Sequence, residues 1–333
     1  MSLIKNLQKS ALASGLILGL SNKSYSLLIE IGLPVNNPNN QSRPSIYENL
    51  IAYNDRGQGL SDTSNVYIYD FKNEVSVAFP FNGVGDEARP SLSKNRIAWQ
   101  NRPNNPSVPW GISIYDFSTS NFLDFPFNNT NNQFNPSLYN DIIAWETKGQ
   151  GLNDTSDISI YDLNKKEMIS FPFNNPSNQS NPSVYGDLIA WKNRGQGIND
   201  TADISIYNYR TGEFINFPFN NVGDQSNPAL FGDFIAWQEK SNNTSVPWNG
   251  YIYNFVSNQS IDFPFNNTNN QANPSLYGGY IAWDSKGQAP SDTYDVHLAS
   301  GVPEPSTLGI LGLSGLLMRR NRKTNSSKAF NCK

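Results

Sequence analysis

Six prolines constrain this chain more than any other feature. Pro44, Pro90, Pro136, Pro182, Pro228 and Pro274 stand 46 residues apart without a slip. A period that strict means one structural unit copied along the chain, each copy covering the apolar face of its neighbour. Around each proline the same block recurs: Pro, Ser or Ala, an apolar residue, turn residues, then Ile-Ala-Trp or Ile-Ala-Tyr. Pro182-Ser183-Val184-Tyr185-Gly186-Asp187-Leu188-Ile189-Ala190-Trp191 is one copy, and Pro136 to Trp145 is another. A second block alternates apolar residues, at Val66–Asp70, Ile112–Asp116, Ile158–Asp162 and Ile204–Asn208. A third is Phe-Pro-Phe-Asn, at Phe79–Asn82, Phe125–Asn128, Phe171–Asn174, Phe217–Asn220 and Phe263–Asn266.

Each repeat reads as four short strands. Strand a is the Pro-Ser-Leu-Tyr segment, followed by a hairpin turn such as Asn140-Asp141 or Gly186-Asp187, residues that tolerate positive φ. Strand b carries Ile-Ala-Trp, and a long loop leads to strand c with its alternating pattern. A short turn such as Arg210-Thr211-Gly212 leads to strand d, expected to end in Phe-Pro-Phe-Asn. Proline removes a ladder donor, which only an edge strand accepts, so strand d is the outer edge of each sheet. Four-stranded units of this length, repeated, are the signature of a β-propeller. A β-solenoid is the rival, but its coils are usually shorter and lack the four-strand rhythm. The expected fold is all-β: a six-bladed β-propeller. The repeats, as in Asn181-Pro182 to Trp191 followed by Asp203-Ile204 to Asn208, resemble the TolB-like propeller group over residues 27–301. That resemblance implies fold and says little about chemistry.

The pattern also shows how the ring closes. Repeat six stops after Asp295-Val296-His297-Leu298 and lacks a strand d. One period before Phe79–Asn82 lies Leu33-Pro34-Val35-Asn36, preceded by Leu27-Leu28-Ile29. The N-terminal segment is therefore expected to complete the last blade, pairing near Val296. The loops after strand d add a longer period: Asn82-Gly83-Val84-Gly85-Asp86 returns as Asn220-Asn221-Val222-Gly223-Asp224, and Asn174-Asn175-Pro176 as Asn36-Asn37-Pro38. The body is a doubled three-blade unit.

Both ends read as addresses rather than fold. Residues 1–26 have Lys5 and Lys9 before an apolar run from Ala11 to Leu20, then small residues at Ser24 and Ser26. That run is too short to span a bilayer, and the layout is that of a secretory signal peptide. Residues 302–333 hold Pro303-Glu304-Pro305, an apolar stretch from Leu308 to Met318, and the basic cluster Arg319-Arg320-Asn321-Arg322-Lys323. This resembles the PEP-CTERM sorting signal of exopolysaccharide-producing bacteria, with a longer tail, Thr324–Lys333, than is usual. The resemblance implies recognition by an exosortase in the membrane, removal of the segment, and delivery to the cell surface or extracellular matrix.

Charge and rare residues narrow the function. The ends carry nine of the 24 Lys and Arg but one of the 28 acids, leaving 15 basic against 27 acidic residues in the body. So acidic a body should repel nucleic acid and anionic lipid surfaces. Cys332 is the sole cysteine and His297 the sole histidine. Cys/His zinc sites and a Cys–His dyad are excluded, and a Ser-His-Asp triad would have to use His297, which sits at a repeat strand position.

Function is then expected on the face where the d–a and b–c loops emerge together. Four b–c loops centre on Asp62, Asp154, Asp200 and Asp292, whereas blades two and five carry Ser107-Val108-Pro109-Trp110 and Ser245-Val246-Pro247-Trp248. Three readings compete. Asn, Asp and Gly satisfy their own loop backbones; or amides and Trp rings recognise a glycan or protein; or paired carboxylates perform hydrolase or lyase chemistry on a polysaccharide. The expected reading is a non-enzymatic binding or scaffold module using Trp110, Trp248 and the four aspartates, with a carbohydrate-active enzyme as the alternative. No cofactor is expected. Calcium is the one ion the loop oxygens would suit, although the spacing is neither an EF-hand nor an RTX repeat.

Overall fold

The computed structural model describes residues 27–304, apart from short loop stretches (36–37, 58, 60–61, 84, 106, 129–130, 150, 152–154, 174–176, 196–199, 221–222, 242–244, 288 and 290–291). The chain is a six-bladed β-propeller: six antiparallel sheets of four strands each, and no helix among the described residues. In blade one the strands are a (Asn40–Tyr47), b (Leu50–Arg56), c (Ser64–Asp70) and d (Val75–Val77), hydrogen-bonded in that order. Blade six differs, because its strand d is Ile29–Ile31 from the start of the body. The N-terminal segment thus supplies the missing strand. Ile29 pairs with Ser300 and Ile31 with Leu298, two residues beyond the expected register at Val296.

Strand d departs from expectation at its end. It is only three residues long, and Phe-Pro-Phe-Asn lies beyond it in a turn. Proline cannot donate to the ladder, so the chain leaves the sheet and its two phenylalanines swing onto the following blade. Phe171 and Phe173 of blade three pack at 5.0 and 5.8 Å on Trp191 of blade four, one edge-on and one stacked. The same pair meets Trp99, Trp145, Trp237 and Trp283 at the other seams. At the closing seam Leu33 and Val35 replace the phenylalanines and pack in the cluster around Tyr53. Burying an aromatic ring removes some 150–250 Å² from water, so these hooks form the bulk of the core between blades. Trp99, Trp145, Trp191, Trp237 and Trp283 are all at most 2% exposed.

An inner belt ties the blades near the axis. Ser45 Oγ accepts the Leu92 amide at 2.9 Å, and Ser91, Ser137 and Ser183 do the same for the next blades. Ser275 accepts the Ile46 amide at 3.1 Å and so joins blade six to blade one. Midway along every strand a the register shifts by a bulge. The bulged residue is left-handed and directly precedes the repeat proline: Arg43, Arg89, Asn135, Asn181, Asn227 and Asn273, with φ between 49° and 57°. The first residue of each a–b turn is left-handed too, including Glu48 and Lys94 where other blades use Asn140 or Gly186.

Candidate functional site

The loop-rich face is built by strands a and c, which start there, and most of its polar groups serve the backbone. At the four described positions, the Asn that ends the Phe-Pro-Phe-Asn block pairs with strand c like an added strand. Asn128 Oδ1 accepts the Ile112 amide and Asn128 Nδ2 donates to the Ile112 carbonyl, both at 2.8 Å. Asn82, Asn220 and Asn266 repeat the arrangement. The first residue of strand a accepts the amide that opens strand c of the preceding blade, as Asp86 does from Ser64 and Asp224 from Ala202, each at 3.0 Å.

The aspartates of the b–c loops fold inward in the same manner. Asp62 Oδ2 accepts the Gly59 amide at 2.8 Å, while the Asp62 amide donates to the Gly59 carbonyl at 3.1 Å. Asp292 repeats this with Ala289 at 2.9 and 3.0 Å. The Asp200 carbonyl accepts Arg194 Nε at 3.0 Å, as that of Asp62 accepts Arg56 Nε. The loop glycines follow from this packing: a Cβ on Gly57, Gly195 or Gly287 would collide with the carboxylate of Asp62, Asp200 or Asp292. Asp154 lies outside the described residues. Among the described residues no three His, Cys, Asp or Glu side chains gather to hold a metal ion.

Trp110 and Trp248 stand apart from this pattern. Each is half-buried, in blades two and five, which lie opposite each other in a six-blade ring. Their backbones are held identically. The Trp110 amide donates to Asn132 Oδ1 at 3.0 Å and its carbonyl accepts the Gln133 amide at 2.8 Å; Trp248 does the same with Asn270 and Gln271. The Arg102 guanidinium sits 4.6 Å from the Trp110 ring centre, a cation–π contact, and is itself 3.3 Å from Asp86. Phe134 flanks the same ring at 6.4 Å.

Two constellations escaped the sequence reading. Glu87 occupies the strand a position that is Gln41, Gln133, Gln179, Gln225 and Gln271 in the other blades. Some of these glutamines span the seams, as Gln41 Nε2 donates to the Val35 carbonyl at 2.8 Å and Gln225 Nε2 to the Phe219 carbonyl at 2.7 Å, while Gln133 Oε1 accepts the Trp145 indole N–H of its own blade at 2.6 Å. Burial pushes the Glu87 carboxyl up to about 7, and the neighbouring Asp86 adds to the shift. The departure from glutamine was visible as a single odd acid at a repeat position. Its carboxyl is buried at the seam, where the backbone of Gly83 in the preceding d–a loop hydrogen-bonds to it.

The second is Ser285–His297–Glu30. His297 Nε2 lies 2.7 Å from Ser285 Oγ, Nδ1 lies 2.8 Å from Glu30 Oε1, and the ring stacks on Trp283 at 5.2 Å. No repeat period links Glu30 to the other two, so only the ring closure reveals the group. In blade two the same cross-strand slot holds Asn101 and Ser113, 2.7 Å apart. The slot is thus a lateral tie between strands b and c. In blade six it extends to the closing strand.

Pro303 and Glu304 end the described chain, beside the a–b turn of blade six at Gly279; Pro305, Arg319, Arg320 and the N-terminal 26 residues lie outside it. Residues 301–323 match the PEP-CTERM protein-sorting motif. Such signals are recognised by an exosortase during export, and the motif directs the chain to the cell surface. No curated protein matches the sequence. Among solved structures, the chain is similar to the β-propeller domain of the Trilobed protease from Pyrococcus furiosus, with 15% identity, 80% of this chain, 82% of that chain and a TM-score of 0.51. That domain is described as having an open velcro topology, whereas here the N-terminal strand completes the last blade. An uncomplexed acylaminoacyl peptidase from Pyrococcus horikoshii matches with 14% identity and a TM-score of 0.52, over 80% of this chain and 46% of that one. TolB from Acinetobacter baumannii matches with 13% identity and a TM-score of 0.48, over 77% and 64%. This chain therefore spans less than half of the peptidase, and at these identities the likeness is one of fold.

Proposed function

We propose that this is an exported, non-enzymatic propeller that binds glycan or protein at the cell surface or in the extracellular matrix through its loop-rich face. The signal peptide over residues 1–26 and cleavage near Pro303–Ser306 belong to the same reading, leaving the propeller as the mature protein. One observation carries it. On a face whose amides and carboxylates mostly bond to their own backbone, Trp110 and Trp248 have their backbone amides and carbonyls tied down and are only half-buried, on opposite blades. A ring with a low entropy cost of ordering is a stacking platform for a sugar face or an apolar side chain. The b–c loop aspartates Asp62, Asp154, Asp200 and Asp292 belong to the same proposed face; the loop amides held by Asp62 and Asp292 make those two supports for loop shape more than free acceptors.

The alternative, a polysaccharide hydrolase or lyase, rests on Glu87, an acid with no counterpart in the other blades and a carboxyl held near 7. Its 7% exposure argues against direct attack on a polymer. A glycan-array screen of the mature body separates the readings. Retention that is lost in W110A/W248A, with no turnover of the retained glycan, supports binding. Turnover that is abolished by E87Q would establish the enzyme.

A further inference from the structure

The six bulged residues of strand a surround the axis and line a channel of about 130 Å³ together with the repeat prolines. Four of them are asparagines joined in a chain. Asn135 Nδ2 donates to Asn181 Oδ1 at 2.9 Å, Asn181 donates to Asn227, and Asn227 donates to Asn273 at 2.7 Å. The remaining two, in adjacent blades, are Arg43 and Arg89. Asparagine is the side chain best suited to left-handed backbone, so arginine there is a departure that the local conformation does not favour. The departure also breaks the internal doubling, since the positions three blades on are Asn181 and Asn227.

Neither guanidinium makes a hydrogen bond or ion pair among the described residues, although both backbone amides are bonded, to Asp284 and to Asn54. The acids nearest the ring are only partly engaged: Asp284 Oδ1 is buried without a hydrogen-bond partner among the described residues, and its charge offsets part of that on Arg43. Asp284 Oδ2 accepts the Arg43 amide and Asn273 Nδ2, both at 2.7 Å. Glu146 accepts Asn135 Nδ2 at 2.6 Å, Ser156 Oγ at 2.8 Å and the Asn181 amide at 3.4 Å. Lys192 holds the position in blade four that Glu146 holds in blade three. Three cations therefore face two acids around the axis of an otherwise acidic body. Burial pushes the Arg89 guanidinium down to about 9, with Arg43 beside it adding to the shift, and burial lowers Arg43 as well. Two half-buried like charges in one site are what an incoming anion relieves.

We propose that this channel is an anion site in which Arg43 and Arg89 grip one oxyanion group, a carboxylate or a sulfate, at the centre of the ring. Paired guanidinium forks match the geometry of such groups. The site is open to solvent at the axis, so either a free anion or a pendant group of a polymer can reach it.

The test is thermal melting of the mature propeller, titrated at constant ionic strength with sodium sulfate and, separately, with sodium glucuronate. The comparison variant R43N/R89N restores the residue of the other four blades and should fold, with R43N and R89N alone as checks. A saturable rise in melting temperature, at least tenfold weaker in the double variant and unchanged in W110A/W248A, supports the site independently of the tryptophan platform. Tighter response to glucuronate then marks a sugar acid as the source of the anion, and tighter response to sulfate marks a free or esterified sulfate. An equal response in native and R43N/R89N protein, or no saturable response in either, overturns it.

Discussion

The seams between the blades and the axis they enclose are made from the same repeat, yet they have diverged to different degrees. At the seams five of six junctions use one tryptophan gripped by two phenylalanines, with ring centres 4.7 to 5.8 Å apart. At the axis the bulged position is asparagine in four blades and arginine in two, and the strand b residue next to it is Asn54, Gln100, Glu146, Lys192, Gln238 or Asp284. A close-packed seam punishes any change of volume, so each copy must solve the same steric problem. A polar channel asks only that hydrogen bonds be satisfied, and several residue types do that. Departures from the repeat therefore mark individual chemistry at the axis and on the loops, and individual strain at the seams.

Breaking the closing seam should have the largest effect. Deleting residues 27–37 removes Leu28, Ile31, Leu33 and Val35 from the core and bares strand c of blade six. A loss of about 5 kcal/mol or more is expected from the apolar area alone, with aggregation through the open edge. Chemical denaturation with light scattering checks it, and a truncated protein that melts like the full one contradicts the closure. A single seam comes next: W145A should cost about 3–5 kcal/mol. W191A in the next blade should match it if the seams are equivalent, as denaturant midpoints would show.

The seam where an acid replaces the strand a glutamine sharpens the comparison through pH. The Glu87 carboxyl is raised to about 7 in the folded protein from an ordinary 4.5. Its contribution to stability is therefore fully present below about 4.5 and is lost as pH rises through about 7, because only the unfolded chain ionises it freely. E87Q should flatten the fall in melting temperature between pH 5 and 8 and melt above native protein at pH 8. A parallel pH profile in the variant would place the carboxyl in contact with water. The smallest expected effect lies on the blade surface, where H297A removes the bonds to Ser285 and Glu30. It should cost about 1 kcal/mol, comparable to N101A in blade two, by paired unfolding curves.

Periodicity made the fold readable, and aperiodicity hid most of what sits within it. Proline spacing, the Ile-Ala-Trp block and the truncated sixth repeat were enough to anticipate six blades and the N-terminal closure. The end of strand d was misplaced because Phe-Pro-Phe-Asn looks strand-like by composition, while the rings are drawn onto a tryptophan of the next repeat. The axial ring was illegible for a different reason. Residues 43, 89 and 135 look like ordinary polar positions before a proline until the bulge turns them toward one axis. Glu30 and His297 meet only because the ring closes. The aspartate loops were legible as loops, but which of their oxygens face inward depends on a close approach to Gly57 and Gly287 that no pattern encodes.

The central claim is that repeated positions hold this propeller together while its non-repeated tryptophans face a ligand. Retention on a cognate polysaccharide or surface partner, measured beside melting temperature for W110A/W248A and for W145A, tests it most directly. The account predicts that W110A/W248A melts within about two degrees of native protein, as a surface change of under 0.5 kcal/mol would, and no longer binds. W145A should melt far lower. Unaltered retention by W110A/W248A, together with a large fall in its melting temperature, would make the two tryptophans lids on their own loops and contradict the claim.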